Sequence, residues 1–468
     1  MPSVLRAPAP IAARRCLTRL ATGRGTIGSL ILAGVLAASA PSAAAAQGAT
    51  AAAPPLDSLV ARAMAMNPRV RAADARVEAA AARVAPAGAR PDPMLMAGLV
   101  NFPVSEPGFA DFMTMKMVGI SQTIPYPGKL SRRTEASEAE LAAARALADG
   151  ARRSIAREVR SAYYDLAFAT HAIDIVTRTQ AVVAGMIPVA EARYAAGGGS
   201  QPDVLRLRVE TARLADEATG LIEDRRATTA RLNALLDRAS DTPIEPSDLP
   251  ERIARAAVSD SARTITFTSP ALGARVTGSP IPSLDSLTAL AMRNSPSLRE
   301  TDAMIAAQTA RVALARREQL PDIDVSLQYG QRNGFADMVT ATVSVPIPLQ
   351  KRRKQGAEAD AADADLRALE AGRAAAANQL RADVARLHSA LERDRTQLAL
   401  YVKAMLPQTR AALASASAGY QAGRVDFTSL IDTEATLFNY ETQYYRTLTD
   451  FAKTLAELEE QIGTEVIR

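Results

Sequence analysis

The chain of 468 residues contains one cysteine and two histidines. The cysteine, Cys16, lies in a basic leader, so the rest of the chain has neither disulfides nor thiolate chemistry. Its Arg-Arg-Cys-Leu context, ahead of the apolar stretch, also differs from that of a lipid-acceptor cysteine. His171 and His388 fall on different predicted helices, each with one carboxylate within a turn, Asp174 and Glu392 respectively. Two groups fall short of a metal ligand set. No Gly-x-Ser-x-Gly elbow and no Gly-x-x-x-x-Gly-Lys phosphate loop occurs, so the reading is a non-enzyme that needs no cofactor.

Two further absences narrow the class. After residue 46 no uninterrupted apolar run approaches the roughly 20 residues of a spanning helix, which leaves only a β-barrel as a way to cross a membrane. The formal charge of +5 is matched by five arginines within residues 1–46 (Arg6, Arg14, Arg15, Arg19 and Arg24), a stretch with no acid. The remainder is balanced, so nucleic acid is not an expected partner. At 48% hydrophobic and 22% charged, the chain folds rather than staying disordered.

The basic leader continues into the apolar stretch Ile27 to Ala38 and the small residues Ser42 to Ala46, the layout of a secretory signal cleaved near Ala46. Beyond it the chain is written twice. Residues 56–74 and 284–302 share 10 of 19 identities at an offset of 228, including Pro68/Pro296 and Arg71/Arg299. Thr123-Ile-Pro-Tyr-Pro127 echoes Ser344-Val-Pro-Ile-Pro348, and Tyr194-Ala-Ala-Gly197 echoes Tyr420-Gln-Ala-Gly423. The expected organisation is a signal over 1–46, a first repeat over 47–238, a Pro-rich linker or irregular segment over 239–283, and a second repeat over 284–468.

Each repeat opens with an Ala-rich helix, about 56–88 and 284–318, whose Asp-Ser pair is expected to cap the first turn. A strand pair follows. Residues 323–329 and 339–345 alternate with a period of two, joined through Asn333-Gly334. One face is apolar, and the other carries Asp324, Ser326, Gln328, Thr340, Thr342 and Ser344. In the first repeat, 94–102 and 112–124 alternate less cleanly around a loop with Pro103, Pro107 and Gly108. There Met113, Met115 and Met117 oppose Thr114 and Lys116, so the methionines, with Met94 and Met96, are expected to face lipid rather than hold a soft metal ion.

Two hairpins alone cannot cover their apolar faces or their edges, which points to a barrel shared between copies. Six of nineteen aromatics (Phe102, Phe109, Phe112, Tyr126, Tyr329 and Phe335) lie near strand ends, as in an interfacial girdle. Very long helices then run from about Gly128 to Ala196 and Leu349 to Gly419, bent at Pro188 and Pro407. Return helices span about Pro202 to Arg238 and Asp426 to Gly463.

The order of these landmarks, and the segment Tyr420-Gln-Ala-Gly423-Arg-Val-Asp426-Phe-Thr-Ser-Leu430-Ile-Asp432-Thr-Glu434-Ala-Thr-Leu437-Phe438-Asn439, resemble the TolC family of outer-membrane efflux factors over nearly all of the chain beyond the signal. The resemblance implies a mainly α protein with a membrane β part. In it a homotrimer pools four strands per protomer into one twelve-stranded outer-membrane β-barrel and its helical hairpins into a periplasmic α-barrel. It implies a passive exit duct for drugs or metal cations. The partners would be a periplasmic adaptor and an inner-membrane pump of the resistance-nodulation-division type, with outer-membrane lipid around the barrel.

By the same resemblance Asp432 matches a gate aspartate, Asp426 and Glu434 are further candidates for the constriction, and the six polar strand residues line the lumen. The family aspartate three residues before is Ser429 here, and Gly198-Gly199-Ser200-Gln201-Pro202 replaces a charged first turn. Tyr194, Gly197, Tyr420, Gly423 and Arg424 become candidates for adaptor contact, although glycines there also serve as helix C-caps. A periplasmic adaptor and a coiled-coil envelope protein are the alternatives; the twofold repeat and the paired strands count against both.

Overall fold

The computed structural model describes residues 55–105, 107–246, 250–258, 265–267, 274–276 and 280–467. The expected signal segment lies outside them, as does part of the inter-repeat stretch.

Pro68 and Pro296 set the first feature of each repeat. Proline disfavours the α region for the residue before it, and Asn67 and Ser295 both sit at ψ 126°. Each expected opening helix is therefore two: α1 (Leu56–Met66) with α2 (Pro68–Gly88) in the first repeat, and the corresponding pair in the second. Asn67 stabilises its break by accepting the Arg69 N–H at 2.8 Å and donating to the Leu235 carbonyl at 2.9 Å. The expected Asp-Ser caps do not form. Pro55 precedes α1 with no side-chain cap, and in the second repeat Ser283 accepts the Ser286 N–H, leaving Asp57 and Asp285 to interact favourably with the helix dipole from the first turn.

Strands β1 (Met94–Val100) and β2 (Met115–Ile124) lead into α3 (Lys129–Ala195) and α4 (Gln201–Leu235). Between the repeats lie α5 (Glu251–Val258) and the two-stranded β3 (Ile265–Phe267) and β4 (Ala274–Val276). The stretch is more than a linker: Ile253, Ala256 and Ala257 are buried in the same core as Phe451, Leu455 and Ile462, and Arg252 pairs with Glu459 at 3.0 Å. The second repeat runs α6 (Leu284–Asn294), α7 (Pro296–Glu318), β5 (Ile323–Arg332), β6 (Met338–Ser344), α8 (Ala357–Leu400), α9 (Leu406–Gln421) and α10 (Phe427–Ile462).

The two hairpins join into one antiparallel sheet of order β1-β2-β5-β6. Its register places Asp324 opposite Ser344, Ser326 opposite Thr342 and Gln328 opposite Thr340, so the six polar residues share one face. Across β2 that face continues through Thr123 and Ser121, then Gly119, Met117 and Met115, and across β1 through Met94, Met96, Gly98 and Val100. The opposite face carries Leu95, Leu99, Val118, Ile120, Val325, Leu327, Tyr329, Val339 and Val343, with Lys116 among them. The methionine assignment is thereby corrected: Met94, Met96, Met115 and Met117 lie on the polar face. Lys116 sits on the apolar face beside the tip loop, its ammonium 4.8 Å from the Phe109 ring centroid. Residues of the polar face on β2 are partly covered while Val118 and Ile120 stand exposed.

At 67 residues α3 is about 100 Å long. It continues through Pro188, and it packs against α2, α4, α7 and α10. One window of α3 has a mean hydropathy of 1.3 and enough length to cross a membrane by composition alone. Under a third of that window is buried, Ile175, Val176 and Val183 among it, while Tyr163, Tyr164 and Leu166 of the same helix are buried between helices. The second-repeat counterpart is α8 and α9 with π-helical turns at Arg352–Gly356 and Tyr401–Met405. The second turn comes two residues before Pro407, where the helix lacks an N–H and must loosen its ladder.

Sheet and helices meet at one joint. Buried Lys129, the first residue of α3, pairs with Asp322 at 2.7 Å, and Asp322 also accepts the Tyr126 N–H at 2.8 Å. Arg317 donates to the Pro127 carbonyl at 2.6 Å, in space that Gly128, at φ +89°, leaves open. Partial desolvation raises the Asp322 pKa, but the bonds from Lys129 and Tyr126 outweigh it and hold the carboxyl below its usual range. Asp322→Asn leaves the Lys129 ammonium without its counter-charge and is expected to destabilise the protein by about 3 kcal/mol. The check is urea unfolding of the detergent-extracted protein, and an unchanged midpoint would remove the pair from the joint.

Candidate functional site

The helix turns at the far end of α3 and α9 are built alike. Gly197 and Gly423 both adopt φ +73°, a left-handed conformation that glycine takes without strain. The Gly198 N–H donates to the Arg193 carbonyl and the Arg424 N–H to the Gly419 carbonyl, closing a Schellman turn in each repeat. Ser200 then caps α4 in a capping box with Asp203, and Asp426 caps α10.

Arg193 ties the two turns together. Its guanidinium donates to the carbonyls of Tyr420 and Gly198 and lies 4.5 Å from the Tyr420 ring centroid. Sequence reasoning missed this residue, whose signal was an arginine in the last turn of a helix, where it can reach free carbonyls. Beside it Arg206 donates to Thr428 Oγ1 at 2.8 Å, joining the starts of α4 and α10.

The residues proposed for partner contact separate by burial. Tyr194 is 50% exposed, and Gly197, Gly423 and Arg424 are exposed with it. Tyr420 is 4% exposed and packs on Phe427 at 5.8 Å, so it is a core residue of the turn and not a docking contact.

The three acids also differ. Asp426 accepts the Ser429 N–H at 3.2 Å and the Ser429 hydroxyl at 2.6 Å, and these bonds hold its carboxyl below the usual range. Serine at this position thus serves the cap. Asp432 is exposed, at the edge of a groove lined by Leu205, Arg206, Val209, Phe427 and Ile431. Glu434 is 3% exposed and faces α4, so it does not line the mouth. Its Oε2 has no hydrogen-bond partner, because the neighbouring Arg213 guanidinium is engaged by Glu210 at 2.7 Å. Desolvation, helped by the Glu210 charge and opposed by Arg213, pushes the Glu434 carboxyl up to about 7.

On the sheet, the six polar residues form three facing pairs, and Thr123 donates its hydroxyl to Asp324. His171, by contrast, stacks on Tyr445 at 4.4 Å between ring centroids.

A sheet with one polar and one apolar face, carried on helices up to about 100 Å long, is the build of an outer-membrane channel. The chain belongs to the outer membrane efflux protein family, whose model matches residues 59–237 and 287–464, one match in each repeat. It is 24% identical over 329 residues to the cobalt-zinc-cadmium resistance protein CzcC of Cupriavidus metallidurans, covering 69% of this chain and 70% of that one. Its fold matches the outer-membrane channel OprN at a TM-score of 0.70 with 21% identity, covering 87% of this chain and 89% of the other. It matches the outer membrane protein VceC of Vibrio cholerae at 0.69 with 19% identity, covering 88% and 96%.

Glu434 gives this end of the molecule a pH dependence. A carboxyl whose pKa is raised by folding contributes fully below its ordinary value of 4.5. That contribution is lost as pH rises to about 7, the folded value. The loss is up to about 3 kcal/mol. Hydrogen exchange of residues 430–438, corrected for intrinsic rates, is expected to show less protection at pH 8 than at pH 5, and Glu434→Gln to flatten the difference. Equal slopes in the two proteins would contradict this.

Proposed function

We propose that three copies of the chain close their sheets into one β-barrel in the outer membrane and their helical hairpins into a tunnel below it. The assembly is a passive exit duct of a tripartite efflux system. The observation that carries this reading is the continuous polar face across four strands, backed by an apolar face suited to lipid. Closure supplies partners for the outer edges of β1 and β6, which a single protomer leaves unpaired.

Asp324, Ser326, Gln328, Thr340, Thr342 and Ser344 line the barrel lumen. Asp432, on the exposed face of α10, contributes one carboxylate from each copy to a ring at the periplasmic mouth, with Asp426 nearly two turns nearer the tip, at the N-cap. Such a ring attracts cations at little desolvation cost because the pore is wet. A periplasmic adaptor grips the exposed turn surface at Tyr194, Gly197, Gly423 and Arg424, and an inner-membrane pump of the resistance-nodulation-division type supplies the energy. A relative named for cobalt, zinc and cadmium resistance supports metal cations among the cargo.

In planar bilayers the protein is expected to give small, stable, cation-selective steps. Asp432→Ala should lower the cation-over-anion permeability ratio severalfold and weaken block by trivalent cations, with the steps themselves retained. Unchanged selectivity would take Asp432 out of the constriction.

A further inference from the structure

The polar face of the sheet holds an apolar island of a particular kind. Gly330 on β5 stands directly opposite Met117 of β2 on one side and Met338 of β6 on the other. Met115, two residues from Met117 and on the same face, drapes its thioether over the same glycine. A Cβ placed on Gly330 would lie 2.6 Å from the Met115 sulfur. Opposed residues on neighbouring strands have Cβ atoms about 5 Å apart, so three flexible thioether side chains surround one position that has no side chain of its own. A second glycine, Gly98 of β1, faces Met117 from its other side and leaves that side chain room as well.

Thioether sulfur is a soft, neutral ligand that selects cuprous-type ions over zinc, cobalt or magnesium. Arg332, in the next row opposite Met115, reinforces the choice, because its charge repels a divalent ion twice as strongly as a monovalent one. Its guanidinium is turned toward the loop, donating to the Ala336 carbonyl at 2.7 Å. The geometry points to a binding site for a soft monovalent cation, Cu(I) or Ag(I), formed by Met115, Met117 and Met338 around Gly330. That the site opens on the interior of a duct rests on the proposed function, whereas the placing of the three methionines around Gly330 rests on strand register and on the Met115 contact. A site on the wall of an exit path would hold such a cation transiently as it leaves.

Silver(I), as the nitrate in chloride-free buffer, is the probe, titrated calorimetrically into the detergent-extracted, full-length assembled protein. One equivalent per protomer is expected, with silver–sulfur scattering in its X-ray absorption spectrum and no competition from zinc. The triple variant Met115→Leu, Met117→Leu and Met338→Leu nearly conserves volume. It should lose at least tenfold in silver affinity while its conductance steps persist. Gly330→Ala is the second variant: it keeps every sulfur but displaces Met115, and should weaken silver binding by a similar factor. Silver affinity unchanged in both variants, or a conducting wild-type protein that takes up no silver, would overturn the site. Silver binding that behaves as expected in a protein that never conducts would instead remove the duct and leave the site standing.

Discussion

An unpaired backbone N–H or C=O in hydrocarbon costs several kcal/mol, and this penalty governs the rest of the structure. A four-stranded sheet of order β1-β2-β5-β6 has two bare edges, and three such sheets joined edge to edge have none. The duplication serves the same end. Each repeat contributes one hairpin, and the β2–β5 pairing fuses the two into one four-stranded segment with a continuous polar face. Everything below the sheet must then hold that segment at the right curvature.

The joint at Lys129 and Asp322 carries this load from sheet to helix. It combines a buried ion pair, the carbonyl of Pro127 held by Arg317, and a glycine whose missing side chain leaves room for the guanidinium. At the other end of α3, roughly 100 Å away, a parallel arrangement uses Arg193 to clasp the turn of the second repeat to that of the first. Ala-rich helices pack between these ends, with the inter-repeat stretch docked where α8 and α10 need cover.

Much of this was legible in the chain. Period-two alternation fixed the strands of the second repeat, the shared Leu-Asp-Ser-Leu openings revealed the duplication, and the Tyr-x-x-Gly pairs located both turns. What was misread depended on contacts distant in sequence. Met115 and Met117 looked lipid-facing because Lys116 seemed to need water. Only the pairing of β2 with β5, some two hundred residues later, shows that Lys116 lies at the tip, where its stem covers apolar surface and its ammonium reaches the Phe109 ring. Glu434 and Tyr420, candidates for the mouth and for adaptor contact, are likewise covered by α4 and α3. The helix breaks at Asn67 and Ser295 were hidden by an unbroken alanine-rich pattern, although the following prolines announced them.

The claim on which the rest depends is that the Asp324 face of the sheet meets water and the Leu327 face meets lipid. Because Cys16 is the only natural cysteine, single cysteines at Ser326 and Thr342, and at Leu327 and Ala341, can be tested in intact cells with a charged, membrane-impermeant thiol reagent. Labelling at 326 and 342 with protection at 327 and 341 is the expected result, and it does not depend on whether the periplasmic mouth is open. Labelling at 327 and 341 with protection at 326 and 342, or equal labelling of all four, would contradict the barrel and the duct together.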